Sequence, residues 1–440
     1  ERASINLGRI GKAAKRDKNT RFTALMHHIT PALLRESYLS LKKDAAEGID
    51  KMTWEEYSKG LEDRLKDLND RVQKGSYRAK PSKRTYIPKP NGKQRPIGIA
   101  ALEDKIVQRA VVRILIEIYE VDFKNFSYGF RPKRKQHDAL DALYVGIMKK
   151  KINWILDADL KSFFDTISHE WLIKMLEHKI GDKRIIRLIK KWLRAGVSEE
   201  GEWSKTTVGT PQGAVISPLL ANIFLHYVLD LWVNKWRKQA KGEVIIVRFA
   251  DDFVVGFQRQ WEAKRFLKEL KQRLEKFALK LNEEKTRLIE FGRFAKSNRK
   301  NRGEPKPETF DFLGMTHICS ETRKNKKFIV RRKPSKKKIR AKLQKISIEL
   351  TKKRHLAIKQ QGKWLRTVFT GQLNYYAVPG TAETLSRLRH TLGELWRKSL
   401  KRRSQKKGKR LKWEHFSKVV TRWLPPVKIK HPYPWERLRL

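Results

Sequence analysis

Apolar residues recur every three or four positions along most of the chain, and in three places that rhythm gives way to short strand-like runs. From Phe22 to Leu41 the residues Leu25, Ile29, Leu33, Leu34, Tyr38 and Leu41 share one helical face. Gly48-Ile49-Asp50 breaks this, and Thr53 with Glu56 three residues on reads as a capping box opening a helix that carries Leu61, Leu65 and Leu68. Leu102 to Tyr119 is apolar enough to be a core helix, with Ile106, Val107, Ala110, Val111, Ile114 and Leu115. Helical spacing returns from His169-Glu170, at Ile185–Trp192, from about Pro218 to Trp232 and at Phe266–Phe277. Beyond Lys333 one stripe of Ile339, Leu343, Ile346 and Leu350 is surrounded by Lys and Arg, and more helical pattern follows at Trp364–Tyr376 and Leu385–Leu400. The strand-like runs lie at 84–99, around an Asn91-Gly92 hairpin turn, at 152–159 and at 244–257. Residues 1–20 read as a loose basic arm, 292–308 as an exposed loop, and 401–410 as a basic run without structure of its own. Helices interleaved with short strands predict an α+β fold.

The third run carries the chemistry. Val244-Ile245-Ile246-Val247-Arg248-Phe249 and Phe253-Val254-Val255-Gly256-Phe257 read as buried strands, with Ala250-Asp251-Asp252 where a hairpin would turn. Two carboxylates beside apolar strands are costly to desolvate unless they are paired or hold a metal. Alternate strand residues face opposite ways, so Asp251 is the better direct ligand and Asp252 the supporting one. A second apolar run, Ile152 to Asp159, also ends in acids, and spacing does not choose between Asp157 and Asp159. Two strands that each end in a carboxylate can converge on a hard, oxygen-binding cation such as Mg²⁺. A pair of such ions serves nucleotidyl transfer.

Charge then sets the partner. The chain has 440 residues, with 102 Lys+Arg against 47 Asp+Glu, a net charge of +55. That imbalance is the footprint of a polyanion, and basic residues run along the whole chain, which suits nucleic acid better than a membrane surface. No apolar run reaches the roughly 18 residues of a membrane span, so no membrane partner is expected. A single cysteine, Cys319, allows no internal disulfide and no cysteine-paired zinc site, consistent with a reducing, cytoplasmic setting. It reads as an idle thiol.

These residues carry a resemblance. Phe249-Ala-Asp-Asp252 resembles the aromatic-x-Asp-Asp box of reverse transcriptases. Asp159-Leu-Lys-Ser-Phe-Phe-Asp165 resembles the box before it, and selects Asp159 as the third acid. Gly209-Thr-Pro-Gln-Gly213, continuing to Ser217-Pro-Leu-Leu-Ala-Asn222, resembles the box between them. Together they look like the reverse transcriptase/maturase proteins encoded by group II introns. The resemblance implies a right-hand polymerase, with fingers and an antiparallel palm sheet followed by a helical thumb. It implies an N-terminal extension over 1–75, fingers and palm over 76–318, a thumb or X domain over 319–400, and a basic C-terminal region over 401–440 without an endonuclease pattern.

The resemblance also assigns roles. Asp159, Asp251 and Asp252 would be catalytic and would hold two Mg²⁺ ions, with Mn²⁺ able to substitute. Lys89 and Arg95, flanking the fingers turn, and Gln212 would hold the nucleotide. Phe163, by its position after Asp159, would lie under the sugar and exclude a 2′-hydroxyl, while Phe164 packs in the core. Arg131, in Tyr128-Gly-Phe-Arg-Pro132, would meet the template, and His137 opens a helix without a catalytic part. Lys285 would lie near primer or nucleotide, and Lys336, Lys337, Lys338 and Arg340 would meet RNA phosphates. Trp413, Trp423 and Trp435 suit the core of a small domain or base stacking. The implied partners are group II intron RNA, an RNA template with a DNA primer, deoxynucleoside triphosphates and target DNA; oligomeric state is not legible. The implied function is RNA-directed DNA polymerisation joined to intron splicing and mobility, in the cytoplasm and at the nucleoid. A maturase with idle polymerase motifs, or a reverse transcriptase domesticated for phage defence, are the alternatives.

Overall fold

The computed structural model describes residues 2–88, 92, 94–199, 202–204, 208–322, 324–403 and 411–438. A group of helices comes first: α1 (Arg2–Arg16), α2 (Pro31–Leu39), α3 (Trp54–Ser58) and α4 (Leu61–Lys74). Thr30 caps α2 by accepting from the Leu33 amide at 3.2 Å. The capping box expected at Thr53 and Glu56 opens α3. The hairpin β1 (Ser82–Pro88) and β2 (Gln94–Ile99) leads to the buried α5 (Leu102–Tyr119), and α6 (Gln136–Lys149) to β3 (Trp154–Ala158). Then come the single turn α7 (Phe163–Thr166), α8 (His169–Lys179) and α9 (Lys183–Arg194), and the short strands β4 (Val197–Glu199) and β5 (Glu202–Ser204). Next are α10 (Ser217–Leu225), a π-helical turn at His226–Asp230 and α11 (Leu231–Gln239). The acid-bearing hairpin is β6 (Val244–Phe249) and β7 (Asp252–Phe257), followed by α12 (Gln260–Glu275), β8 (Arg287–Glu290) and α13 (Ala295–Asn301). Strands β9 (Phe310–Phe312), β10 (Met315–Glu321) and β11 (Phe328–Pro334) precede α14 (Lys336–Lys352), α15 (Ile358–Tyr376), α16 (Ala382–Lys401), α17 (Trp413–Trp423) and α18 (Pro434–Arg437).

The central sheet has the order β6-β7-β3-β8 and is antiparallel throughout. Its central hairpin strands β6 and β7 are largely apolar because both faces are covered. Leu156, Ile246, Phe253, Val255 and Phe257 join the core built on the N-terminal helices, α5, α10 and α12. Ile155, Ile245, Val247, Val254 and Ile289 face the other way, into a core shared with α6, β9 to β11 and the C-terminal helices. A second sheet, β2-β1-β4-β5, carries the fingers hairpin. A third, β11-β10-β9, links the central sheet to α14. The α+β right hand expected from the sequence is present, with its palm sheet antiparallel. A division at 318/319 falls inside β10, which pairs with β11 along its whole length.

Some readings need correcting. Residues 1–20 are not a loose arm: α1 buries Leu7, Ile10 and Ala14, and packs on α5. The stretch 292–308 contains α13, anchored by buried Ala295. Of the tryptophans, Trp413 packs against His390 and Trp423 against Gly362, the core alternative, while Trp435 meets Tyr144 but stays exposed. Lys89 and most of the 401–410 run lie outside the described residues.

Candidate active site

The site forms where β3 ends and the β6–β7 hairpin turns. Phe249 pairs with Asp252, which leaves Ala250 and Asp251 as a two-residue turn. Ala250 has φ of 58°, the left-handed region that such turns ask of their first residue. Gly129 lies against it: a Cβ built there would stand 2.3 Å from the Ala250 amide nitrogen. The Tyr-Gly-Phe-Arg box therefore backs the acid-bearing turn, and only glycine permits that approach.

Asp159 lies just past β3. The loop after α12 closes over it: the Asn282 amide donates to the Asp159 carbonyl at 2.8 Å. Asn282 Nδ2 donates to Asp159 Oδ2 at 3.1 Å, and Lys285 Nζ to the same oxygen at 2.9 Å. The bond to Asp159 pushes the Lys285 ammonium above its ordinary pKa. Asp251 is raised by burial and by the Asp159 charge, against Arg95 and Lys285, which lower it. Asp252 is open at its tip but ringed by protein. That desolvation, with the Asp251 and Asp159 charges, pushes it up to about 6, while Lys338 and Lys285 pull it down. Three acids thus share one electrostatic field, and two lysines partly neutralise it. Asp157 belongs to the sheet: burial pushes it to about 6, and Arg287 at 3.7 Å partly offsets this.

Asp159, Asp251 and Lys285 open on one cleft of about 780 Å³, lined also by Arg95, Gln212, Phe163 and Phe164. Gln212 Nε2 donates to Asp165 Oδ1 at 2.9 Å. The loop that carries Gln212 is wedged between fingers and palm: the Gly98 amide donates to the Gln212 carbonyl at 2.7 Å, and the Thr210 amide to the Phe164 carbonyl at 2.7 Å. Among the described residues no three acidic, histidine or cysteine side chains already stand as a ready metal cage. Lys285 holds Asp159 instead. The donor set itself, carboxylate oxygens without His or Cys, fits a hard divalent cation.

The structure bears on three of the expected roles. Phe163 is 2% exposed and tilts against Phe224 in the core. Ser162 enters α7 at φ of 48°; the Phe163 ring that follows is buried and Phe164 is half-buried, and both residues line the cleft. Arg131 does not reach a template. Its side chain is 2% exposed and pairs with Glu120 at 2.6 Å. It also donates to the Lys124 and Ser127 carbonyls, each at 2.7 Å. Lys338 is exposed like Lys336, Lys337 and Arg340, and its charge also acts on Asp252. His137 ties α6 to α15 through the Tyr375 carbonyl at 2.8 Å, and Cys319, raised to about 12 by burial, is inert. Sequence reasoning passed over Asn282 and Asp165. Asp165 ends the Asp159–Asp165 box and Asn282 stands three residues before Lys285, so a polar residue near a nominated one was the available signal.

Residues 87–317 match the family described as reverse transcriptase (RNA-dependent DNA polymerase). The chain belongs to that family. Reverse transcriptases act on an RNA template and use divalent metal ions, and both fit the acid cleft and the basic surface. Among curated relatives, protein YkfC of Escherichia coli is 36% identical over 312 residues, covering 62% of this chain and 81% of that protein. The group II intron-encoded protein LtrA of Lactococcus lactis is 38% identical over 237 residues, covering 51% of this chain and 38% of LtrA. This reverse transcriptase therefore spans well under half of LtrA. A solved telomerase from Candida albicans overlays at a TM-score of 0.43 with 13% identity, covering 83% of this chain and 65% of that one. No helix among the described residues is long and apolar enough to cross a membrane.

Proposed function

We propose that this reverse transcriptase is the RNA-directed DNA polymerase of a group II intron, and that it also binds the intron RNA and assists its splicing and mobility. The observation that carries the polymerase reading is the meeting of Asp159 and Asp251 at one end of the palm sheet, in a cleft that also holds Arg95 and Gln212, with Asp252 in the same electrostatic field. The net charge of +55 supports the RNA-binding half, as do relatives named for group II introns.

In this reading Asp159 and Asp251 hold two Mg²⁺ ions, for which Mn²⁺ can substitute, and Asp252 assists. When bound, such ions stabilise the attacking and leaving oxygens of nucleotidyl transfer. The protein supplies position and field. Arg95, together with Lys89, grips the triphosphate of the incoming deoxynucleotide. Gln212, braced on Asp165, fixes the nucleotide against the fingers. Phe164 rather than Phe163 sits at the sugar edge and excludes a 2′-hydroxyl. Lys285 neutralises Asp159, the carboxylate that would hold a cation. Lys336, Lys337 and Arg340 face RNA phosphates, the intron's among them, and target DNA follows the same basic surface.

Asp251→Asn keeps shape and removes a charge. Primer extension on an RNA template should be lost, while intron RNA binding and splicing persist. Near-parental extension would remove Asp251 from the site. Asp157→Asn should be far milder than Asp159→Asn, and the reverse order would move the third ligand to Asp157.

A further inference from the structure

Beneath the Asp251 turn lies a buried polar cluster that catalysis does not use directly. Arg248, on β6, is fully buried, as is Asp230. Its guanidinium is a two-pronged donor to Asp230: Nε to Oδ1 at 2.7 Å and Nη2 to Oδ2 at 2.6 Å. The remaining nitrogen, Nη1, donates to Asn222 Oδ1 at 3.0 Å and to the Ala250 carbonyl at 2.9 Å. Asn222 in turn donates through Nδ2 to the Gly129 carbonyl at 2.7 Å. The Arg248 backbone is fixed as well: its amide donates to the Phe126 carbonyl and its carbonyl accepts from the Tyr128 amide, both at 2.8 Å. Three separate stretches, 126–129, 222–230 and 248–250, thus meet around Arg248, the first through its backbone and Asn222 and the others through its guanidinium.

Local structure explains how Asp230 arrives there. It ends the π-helical turn His226–Asp230, and such an inserted turn re-phases the side chains that follow it. A buried ion pair is a poor way to gain stability, since apolar groups of similar volume often do as well. What it does well is fix a geometry. Here the geometry is a left-handed alanine directly before Asp251.

We propose that Arg248, tied to Asp230 and Asn222, is a positioning residue that clamps the Ala250 carbonyl and so aims the Asp251 carboxylate. This rests on the reading of Asp251 as a metal ligand. Arginine is required rather than lysine, because one planar fork must serve a carboxylate, an amide and a backbone carbonyl together.

The test uses the full chain with Arg248→Lys and, separately, Asn222→Ala, which cuts the link to Gly129 and leaves the ion pair. Each is made with and without Ala250→Gly, a change that accepts left-handed φ without help. In metal-free protein, hydrogen exchange of the 249–252 amides should be faster in both single variants. Single-turnover extension should fall on the order of 10- to 100-fold for Arg248→Lys. Half-maximal Mg²⁺ should rise several-fold, and primer–template affinity should stay within about twofold. Ala250→Gly should shrink the loss caused by Arg248→Lys. The proposal is overturned if turn exchange matches the parent, or if the loss is the same in both backgrounds. It is also overturned if melting temperature falls while metal requirement and turn exchange stay put. Should Arg248→Lys not fold, Asn222→Ala decides by the same measures. The exchange arm needs no metal or activity, so it is read independently of Asp251→Asn. Full extension by Asp251→Asn would fail the site reading, and unchanged exchange would fail the clamp.

Discussion

Gly129→Ala is the smallest change that should move the catalytic turn. The added methyl carbon would stand 2.3 Å from the Ala250 amide nitrogen and 2.9 Å from the Phe249 carbonyl carbon, where ordinary contact begins at 3.4 Å. Both neighbours are backbone, so no side chain can swing aside. The turn or the 128–130 segment must give way by about 1 Å, and the segment is held on its far side by Asn222. Overpacking of this kind costs about 1–3 kcal/mol of stability. Misplacement of a reacting group by about 1 Å costs on the order of 100-fold in rate. The expected outcome is therefore a folded protein, with a modestly lower melting temperature, whose single-turnover extension falls by about two orders of magnitude. Primer–template affinity should hardly change, because the contact lies behind the cleft. The assay pairs thermal melting with extension at saturating primer–template. Extension within about threefold of the parent would refute the reasoning, since a displaced Asp251 could then not matter.

Phe164→Val should raise incorporation of ribonucleotides relative to deoxynucleotides, whereas Phe163→Val should mainly lower stability; the opposite pattern in a nucleotide-competition assay would return the sugar contact to Phe163. Asp252, raised to about 6 from the ordinary 3.8, disfavours the folded state once ionised, so its contribution is present at low pH and lost as pH climbs through 6. In metal-free protein the fall in melting temperature between pH 4 and 7 should accordingly be shallower for Asp252→Asn, and superimposable curves would count against the raised carboxyl. Neutralising Lys336, Lys337 and Arg340 together should flatten the salt dependence of RNA binding by about 2 to 3 in slope, at about 0.7–0.9 per phosphate contact. Lys338 is left in place because its charge bears on Asp252, and an unchanged slope would place RNA elsewhere.

The acids were legible because their signal is local: two apolar runs that each end in carboxylates. Strand period and turn chemistry then put Asp251 and Asp252 at the right end of the right hairpin. Which of Phe163 and Phe164 is the more exposed ring was not legible, because the choice between adjacent rings depends on one backbone angle at Ser162, which no residue pattern announces. Arg131 misled for a related reason. An arginine among aromatics reads the same whether it faces a template or folds back onto Glu120, and only the path of the 120–131 loop decides. The N-terminal helix was missed because its apolar stripe, Leu7, Ile10 and Ala14, is thin and sits among lysines and arginines. Long-range partners such as Asn282 on Asp159 lie beyond any window of sequence.

The palm sheet is a wall common to two cores, and the second core runs unbroken from α6 through β9–β11 into the C-terminal helices. Tyr144 of α6 meets Trp435, and His137 stacks on His431 at 3.8 Å. Inheritance is constrained by this arrangement. A crossover between divergent homologues anywhere near residues 315–334 would join half of one core to half of another, so the hybrid would misfit on the face that backs Asp251. Thumb and palm in this lineage should therefore descend together, while the fingers sheet, which shares less of that wall, is freer to be exchanged.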